Sequence, residues 1–377
     1  MKNINAYSKS SRCCGCGACS NICPKNAIEM KPDKKGFLHP EIDSEKCVNC
    51  GLCVKVCAFN QKRESVDLKQ VSVYAVKNKD NSIRQESRSG GVFTALTDKC
   101  IDKEGVVYGV ALNEKFEAVH KGVTTKKERD LFRGSKYIQS VVGDSYKRIK
   151  DDLLQGKEVI YSGTPCQVNA MKHYLDGIDC SKLILIDIVC HGVPSVRVWK
   201  DYLADYEKKK HGKVTNVDFR NKKKYGWAGC KETISVDGKE YDDDLFFSFF
   251  NSGLTERASC FECPYKTLDR VGDITIGDFW GINKVNKEFN DNKGVSLVLC
   301  NTEKGKAYFE SIEDELEVIK TDIQNCLQPA LQHNSKMPKD RAFFWMMYDK
   351  CGKMKFARMY QYKLKLGFKL KHMLKRG

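Results

Sequence analysis

From Val71 onward the chain alternates short β-rich apolar runs with amphipathic stretches. The runs are Val71–Val76, Gly105–Leu112, Glu158–Tyr161, Leu183–Val189, Asp273–Ile276 and Val295–Cys300. Between them, apolar residues recur at helical spacing in Val92–Ile101, Ser145–Leu154, Gln167–Leu175, Val196–Lys208 and Glu303–Ile312. Strands of four to eight residues alternating with helices of about ten predict an α/β or α+β fold with a mixed sheet. Ahead of Val71 the texture differs. Asn60–Gln70 is polar and charged and reads as a linker, and the segment before it is rich in cysteine.

That segment carries the strongest chemistry. Cys13, Cys16, Cys19 and Cys23 follow C-x2-C-x2-C-x3-C, with Pro24 next, and Cys47, Cys50, Cys53 and Cys57 repeat the spacing. This is the run of bacterial two-cluster ferredoxins. Three closely spaced cysteines let one loop wrap three corners of a cubane. Gly15, Gly17, Ala18 and Gly51 let the backbone curl close to the inorganic sulfurs. The fourth cysteine lies beyond its loop and points to the other cluster. One [4Fe–4S] cluster is therefore expected on Cys13, Cys16, Cys19 and Cys57, and a second on Cys47, Cys50, Cys53 and Cys23. Zinc knuckles are the alternative, but they use separated C-x-x-C pairs rather than four cysteines in eleven residues, twice over. Ala58 stands where proline usually follows the last cysteine, and Cys14 is read as an extra thiol rather than a ligand.

Composition narrows the class. With 377 residues, 41% of them hydrophobic, the chain can bury more than one core. Its 19 cysteines are clustered, which points to metal ligation rather than a disulfide framework. Met1–Arg12 has no apolar core of a secretory signal, and no apolar run reaches membrane-spanning length. A cytoplasmic protein is expected. The net charge of +16 fits solvated lysine faces, an acidic partner protein or an anionic membrane surface. Nucleic acid receives no motif.

Four segments of the larger domain stand out. Ser87–Thr94 places Gly90 and Gly91 before a helix, among the hydroxyls of Ser89 and Thr94, and free N–H groups there suit a phosphate. Arg133–Ser140 combines Arg133, Gly134, Ser135, Lys136 and Tyr137, which suits an anionic planar cofactor. Ser162–Gln167 puts Gly163, Thr164 and Cys166 at a strand end, where α/β folds hold ligands, and Pro165 fits a first helical turn. The fourth starts at Cys190-His191-Gly192 and continues with Cys260-x-x-Cys263-Pro264 and Gly277–Gly281. Cys166, Cys190, Cys260 and Cys263 are candidates for a third four-cysteine site. A structural zinc, packed thiols and a redox disulfide stay open on spacing alone.

In these segments, and in their order, the sequence resembles the beta-subunit family of coenzyme F-420-reducing hydrogenases and dehydrogenases, which includes 7-hydroxymethyl chlorophyll a reductase. The resemblance spans about residues 87–282 with the ferredoxin module in front. It implies a bound FAD and a third [4Fe–4S] cluster on Cys166, Cys190, Cys260 and Cys263. It also implies that FAD is held by the segments containing Ser89, Gly90, Gly91 and Thr94 and Arg133, Ser135, Lys136 and Tyr137, with Gly163 and Thr164 nearby. The fold class expected is then α+β: a ferredoxin-like domain at 1–62, a mixed α/β flavin- and cluster-binding domain at 70–328 and a basic C-terminal tail at 329–377. A flavin joins one-electron clusters to two-electron chemistry.

His191, beside a candidate ligand and titratable near neutrality, is the candidate acid. Asp278 reads as structural, and His39, His120, His173 and His211 show no partners in the sequence. Lys353–Arg376 lacks acidic residues and mixes apolar residues with lysines, so it reads as a docking tail or an anionic-membrane contact, with helical and strand periods both allowed. The expected activity is an iron–sulfur flavoprotein oxidoreductase with a protein electron partner and a small-molecule or deazaflavin-type acceptor. The alternative is an electron-relay subunit with no organic substrate.

Overall fold

The computed structural model describes residues 12–60 and 65–373, with side chains to residue 366. The opening stretch 1–11, residues 61–64 of the expected linker and 374–377 lie outside the described residues.

The N-terminal module is built twice from one plan. Each cysteine triplet turns through a left-handed glycine, Gly17 (φ 76°) or Gly51 (φ 80°), into a short helix, Ala18–Ile22 or Leu52–Lys55. A side chain at either glycine would strain the backbone, because only glycine enters that region freely. Between the two halves, β1 (Ile28–Pro32) and β2 (Leu38–Ile42) pair antiparallel.

The larger domain is organised by an eight-stranded mixed sheet. Its strands are β3 (Ser72–Asn78), β4 (Val106–Leu112), β5 (Ala118–Val123), β6 (Val159–Gly163), β7 (Leu183–Ile188), β11 (Ile274–Asp278), β12 (Ser296–Cys300) and β13 (Leu316–Thr321), in the order β13-β3-β12-β11-β7-β6-β4-β5. The centre β11-β7-β6-β4 is parallel and both flanks are antiparallel. The parallel strands are apolar on both faces because helices cover both. Val106, Tyr108, Val159, Tyr161, Leu183 and Leu185 pack on one face against the helices Ser145–Leu154 and Pro165–Tyr174. Val107, Ile160, Ile184 and Ile186 pack on the other, against Val92–Asp102 and Glu303–Glu310. The period-two alternation thus sets which helix covers which face.

All six expected strand runs and all five helical stretches are present. The sequence reading did not place β1, β2, β5 or β13, nor the separate three-stranded sheet of β8 (Val214–Asp218), β9 (Glu232–Val236) and β10 (Lys239–Asp243). That small sheet shares an aromatic core with the helices Val196–Lys210, Leu245–Ser252, Arg341–Lys350 and Met354–Met373. Phe344, Trp345, Tyr348, Phe356 and Tyr360 are buried there. The basic segment is a helix at least over 354–373, and its first half is core rather than appendage. Among the described residues no helix is long and apolar enough to cross a membrane.

Candidate iron–sulfur centres and the crevice beside them

The fourth cysteine of each run lies toward the triplet of the other. Cys23 joins Cys47, Cys50 and Cys53 around one small cavity that also meets Lys25, Val48 and Leu52. Cys19 and Cys57 both lie close enough to Cys13 and Cys16 for the charges to act on one another. Burial is the first cause of the rise at both thiols, with those neighbours adding to it, and Cys57 is pushed to about 11.

A third cavity lies where the module meets the sheet. Cys166, Cys190, Cys260 and Cys263 all line it. They arrive from three different parts of the fold. Cys166 is the second residue of the helix Pro165–Tyr174, which starts directly after β6; Gln167 Oε1 accepts from the Thr164 N–H (3.1 Å) and hydroxyl (2.9 Å) to fix that entry. Cys190 follows the end of β7. Cys260 and Cys263 lie in and after the short 3-10 turn Ala258–Glu262. A buried ion pair secures this corner: Arg270 Nη2 meets Asp187 Oδ1 at 2.8 Å, while Asp187 Oδ2 accepts from the backbone N–H of Val271 and Gly272. Arg270 also donates to the carbonyls of Tyr265 and Ile188, tying the loop after Cys263 to the strand before Cys190.

Burial, then the charges of neighbouring thiols, pushes Cys190 up to about 12 and Cys263 to about 11, and Cys260 well above the usual thiol range. Four such sulfurs facing one space become thiolates when a cationic centre joins them. The donor set, soft sulfur throughout, fits a four-iron cluster. Among the described residues no group of three His, Cys, Asp or Glu side chains is drawn together tightly enough to hold a single metal ion.

Three residues to which the sequence reading gave no role complete the junction. Cys14 also lines the cavity, and its thiol lies against those of Cys16 and Cys166 at once. Its proximity draws Cys166 down, against the effect of burial, with Thr164 and Arg257 assisting, while Cys14 itself is raised. Gln139 donates to the Cys14 carbonyl at 2.9 Å. Arg257 donates to the carbonyls of Cys13 (2.6 Å) and Leu38 (2.8 Å) and to Gln139 Oε1 (2.9 Å). His39, without a visible partner in the sequence, sits between Asp33 (3.6 Å) and Arg257 (3.3 Å). The bond to Asp33, then that to Cys13, raises it to about 9. Adjacency of Cys14 to Cys13 was the one available sequence signal.

The residues named for a flavin divide into those the fold consumes and those it leaves available. Gly90 crosses β3 and β12 so closely that an added Cβ would stand 2.2 Å from the Val76 carbonyl. Gly91 (φ 88°) starts the helix Val92–Asp102. Ser89 donates to Val295, and buried Thr94 accepts from Arg133 Nε at 3.1 Å, which joins the two segments. Arg133 also pairs with Asp130 at 2.9 Å.

Gly134 and Ser135 are exposed, and open space surrounds the Gly134 Cα. Lys136 Nζ donates to the carbonyls of Leu131 and Arg133, and burial pushes its ammonium down to about 7. Tyr137 stands among Phe219, Phe247 and Phe250, its hydroxyl taking a bond from Arg220. Arg220 in turn pairs with Asp278 at 3.0 Å, and Asp278 accepts from Trp227 Nε1 at 2.7 Å. Gly163 and Thr164 belong to the cysteine cavity, where the Thr164 hydroxyl is 3.2 Å from the Cys166 sulfur. His191 Nε2 lies 3.0 Å from Oε1 of Glu256, a wholly buried carboxylate, and its ring is 4.9 Å from that of Phe250.

Comparison with known proteins follows this division. Residues 12–61 match the model described as "4Fe-4S dicluster domain". Residues 156–325 match the model of the C terminus of the coenzyme F420 hydrogenase/dehydrogenase beta subunit. Residues 156–325 thus resemble the coenzyme F420 hydrogenase/dehydrogenase beta-subunit family, and a ferredoxin-type segment precedes them. The 156–325 segment contains Cys166, Cys190, Cys260 and Cys263, and the dicluster segment contains all eight N-terminal candidates.

A curated relative, the F subunit of the F(420)H(2) dehydrogenase of Methanosarcina mazei, is 21% identical over 325 residues, covering 82% of this chain and 84% of its own length. The PorD subunit of the pyruvate synthase of Thermotoga maritima is 59% identical over 29 residues, 8% of this chain and 28% of that one. Among solved structures, a chain of the F420-reducing [NiFe] hydrogenase complex from Methanosarcina barkeri is 16% identical, with a TM-score of 0.46 over 69% of this chain and 83% of that chain.

Proposed function

We propose that the protein is an iron–sulfur flavoprotein oxidoreductase that passes electrons between its ferredoxin-type clusters and FAD, and so exchanges them with a small-molecule or deazaflavin-type acceptor. The observation that carries the reading is the continuity of thiols: Cys14 lies against both Cys16 of the module and Cys166 of the third cavity. Electrons would enter at the exposed site of Cys23, Cys47, Cys50 and Cys53. They would cross to that of Cys13, Cys16, Cys19 and Cys57, and reach a third cluster on Cys166, Cys190, Cys260 and Cys263. A flavin, when bound, converts single electrons into two-electron chemistry.

The chain's own residues have separate tasks in this scheme. Gly134 leaves room for a close approach, and Lys136 places an amine there with no carboxylate on it. Tyr137, held by Arg220, offers an aromatic wall. His191, with Nε2 3.0 Å from the buried Glu256 carboxylate, is proposed as the acid. The protein is proposed to work in the cytoplasm beside an electron-donor or acceptor protein, with membrane contact through the basic C-terminal helix. A second reading, an electron-relay subunit without a substrate site of its own, is favoured by one observation: the M. mazei relative is itself named as one subunit of a dehydrogenase.

Iron and released flavin per chain, measured on protein purified without oxygen, test both. About twelve irons with about one FAD are expected. About eight irons with no FAD, even after reconstitution, would reject the flavoenzyme in favour of the relay.

A further inference from the structure

We infer that Arg257 is the shared countercharge of two clusters, the one on Cys13, Cys16, Cys19 and Cys57 and the one on Cys166, Cys190, Cys260 and Cys263, and that it sets the reduction potentials of both. The inference rests on the cluster assignment just proposed.

Arg257 is 2% exposed. A guanidinium so buried normally meets a carboxylate, because an unpaired charge inside a protein is strongly disfavoured. Four of the five other buried arginines do so: Arg84 with Asp291 at 2.6 Å, Arg129 with Asp98 at 2.7 Å, Arg220 with Asp278 at 3.0 Å and Arg270 with Asp187 at 2.8 Å, while the fifth, Arg341, donates to the Glu256 carbonyl. The acceptors on Arg257 are neutral instead, two carbonyls and the Gln139 amide. Its other close neighbour, the His39 ring at 3.3 Å, brings no negative charge.

What Arg257 does face is sulfur. It lines the cavity of Cys166, Cys190, Cys260 and Cys263, and it grips the main chain of Cys13 from the same position. A four-iron cluster on four thiolates is an anion that gains a further negative charge on reduction. A fixed cation in a low-dielectric junction therefore favours the reduced form of each cluster beside it. The Cys23, Cys47, Cys50 and Cys53 cavity has no part of Arg257 in its wall.

The test is a redox titration of the full-length, iron-loaded protein, followed by paramagnetic resonance, for wild type, Arg257→Gln and Arg257→Lys. Iron is counted first. A wild type with about eight irons and no third signal overturns the cluster assignment, and the inference with it. With about twelve irons, Arg257→Gln is expected to lower two of the three potentials by the equivalent of about tenfold in the reduction equilibrium, about 59 mV for one electron. The third potential stays in place, and Arg257→Lys restores most of the loss. Unmoved potentials, an equal shift in all three, or a lysine variant as low as the glutamine variant overturns the inference alone. If Arg257→Gln does not assemble, Arg257→Lys decides: potentials near wild type support a role for the charge, and potentials lowered by a similar factor overturn it.

Discussion

The solvent-side site of Cys23, Cys47, Cys50 and Cys53 and the junction site of Cys166, Cys190, Cys260 and Cys263 present the same four sulfurs to opposite surroundings. At the first, Cys50 is exposed and so are Val48 and Leu52 beside it, at 59% and 38%. All its members come from one short module and are positioned by two glycine turns. At the second, the sulfurs come from a helix start, a strand end and a 3-10 turn that only the finished sheet brings together. Arg257 and Lys266 stand in its wall. A cysteine site can thus be specified locally and left at the surface to meet a partner, or specified globally and sealed where partners cannot reach. The difference lies in the electrostatics and the access, since the ligand chemistry is identical.

The largest effects should come from removing one sulfur at each site. Cys166→Ser is expected to cost about four of about twelve irons and leave both N-terminal clusters, and Cys50→Ser to cost a different four while sparing the junction. Unchanged iron in Cys166→Ser would exclude that residue as a ligand. A single variant that empties both sites would show that they are not independent.

A smaller effect probes how tightly the junction is packed. Gly15 and Gly17 both have positive φ, 68° and 76°. A Cβ at Gly15 would stand 2.4 Å from Gln139 Nε2 and 2.9 Å from the Leu38 carbonyl, whereas at Gly17 the nearest atom is 3.8 Å away. Gly15→Ala should therefore destabilise the module by about 3 kcal/mol and Gly17→Ala by about 1 kcal/mol, the backbone strain alone. Denaturant-induced loss of cluster absorbance, followed without oxygen, compares them. Equal midpoints would contradict the close approach of Gln139 to this turn.

The smallest effect belongs to the exposed site. Lys25 is exposed on its rim. Lys25→Glu should slow reduction by an acidic donor protein a few-fold at low ionic strength, about 1 kcal/mol or less, and the difference should vanish at high salt. Stopped-flow reduction by a small acidic ferredoxin measures it. A salt-independent effect would move the entry point elsewhere.

The contrast between local and global specification also explains what could be read from the chain. The cysteine runs were legible because their spacing and their glycines are the site. The parallel strands were legible because burial on both faces leaves continuous apolar runs such as Leu183–Ile188. Arg257, Gln139 and Cys14 were not. Arg257 meets the Cys13 carbonyl across 244 residues of chain, and no local pattern marks a residue whose partners are main-chain oxygens so far away. Phe344 and Tyr348 were read as part of a tail because their partners, on the helices Val196–Lys210 and Leu245–Ser252, carry no sequence cue for a helix beyond 328. The Lys-Leu-Lys period around residues 363–366 allowed helix or strand, and packing of Tyr360 and Leu364 into that aromatic core selected the helix. The glycines at 90 and 91 were legible as a tight turn, but the neighbour they accommodate is a strand of the same sheet.

Because Arg257 and Gln139 hold the module by the carbonyls of Cys13, Cys14 and Leu38, this part of the joint recognises the path of a turn, while Ala18, Ile22, Val56 and Phe59 pack into the core of the domain behind it. Such a joint works like a plug with a keyed face. A two-cluster unit exchanged into this chain by recombination would need those oxygens at the same places, glycine at position 15, and apolar residues of matching size on the packed face.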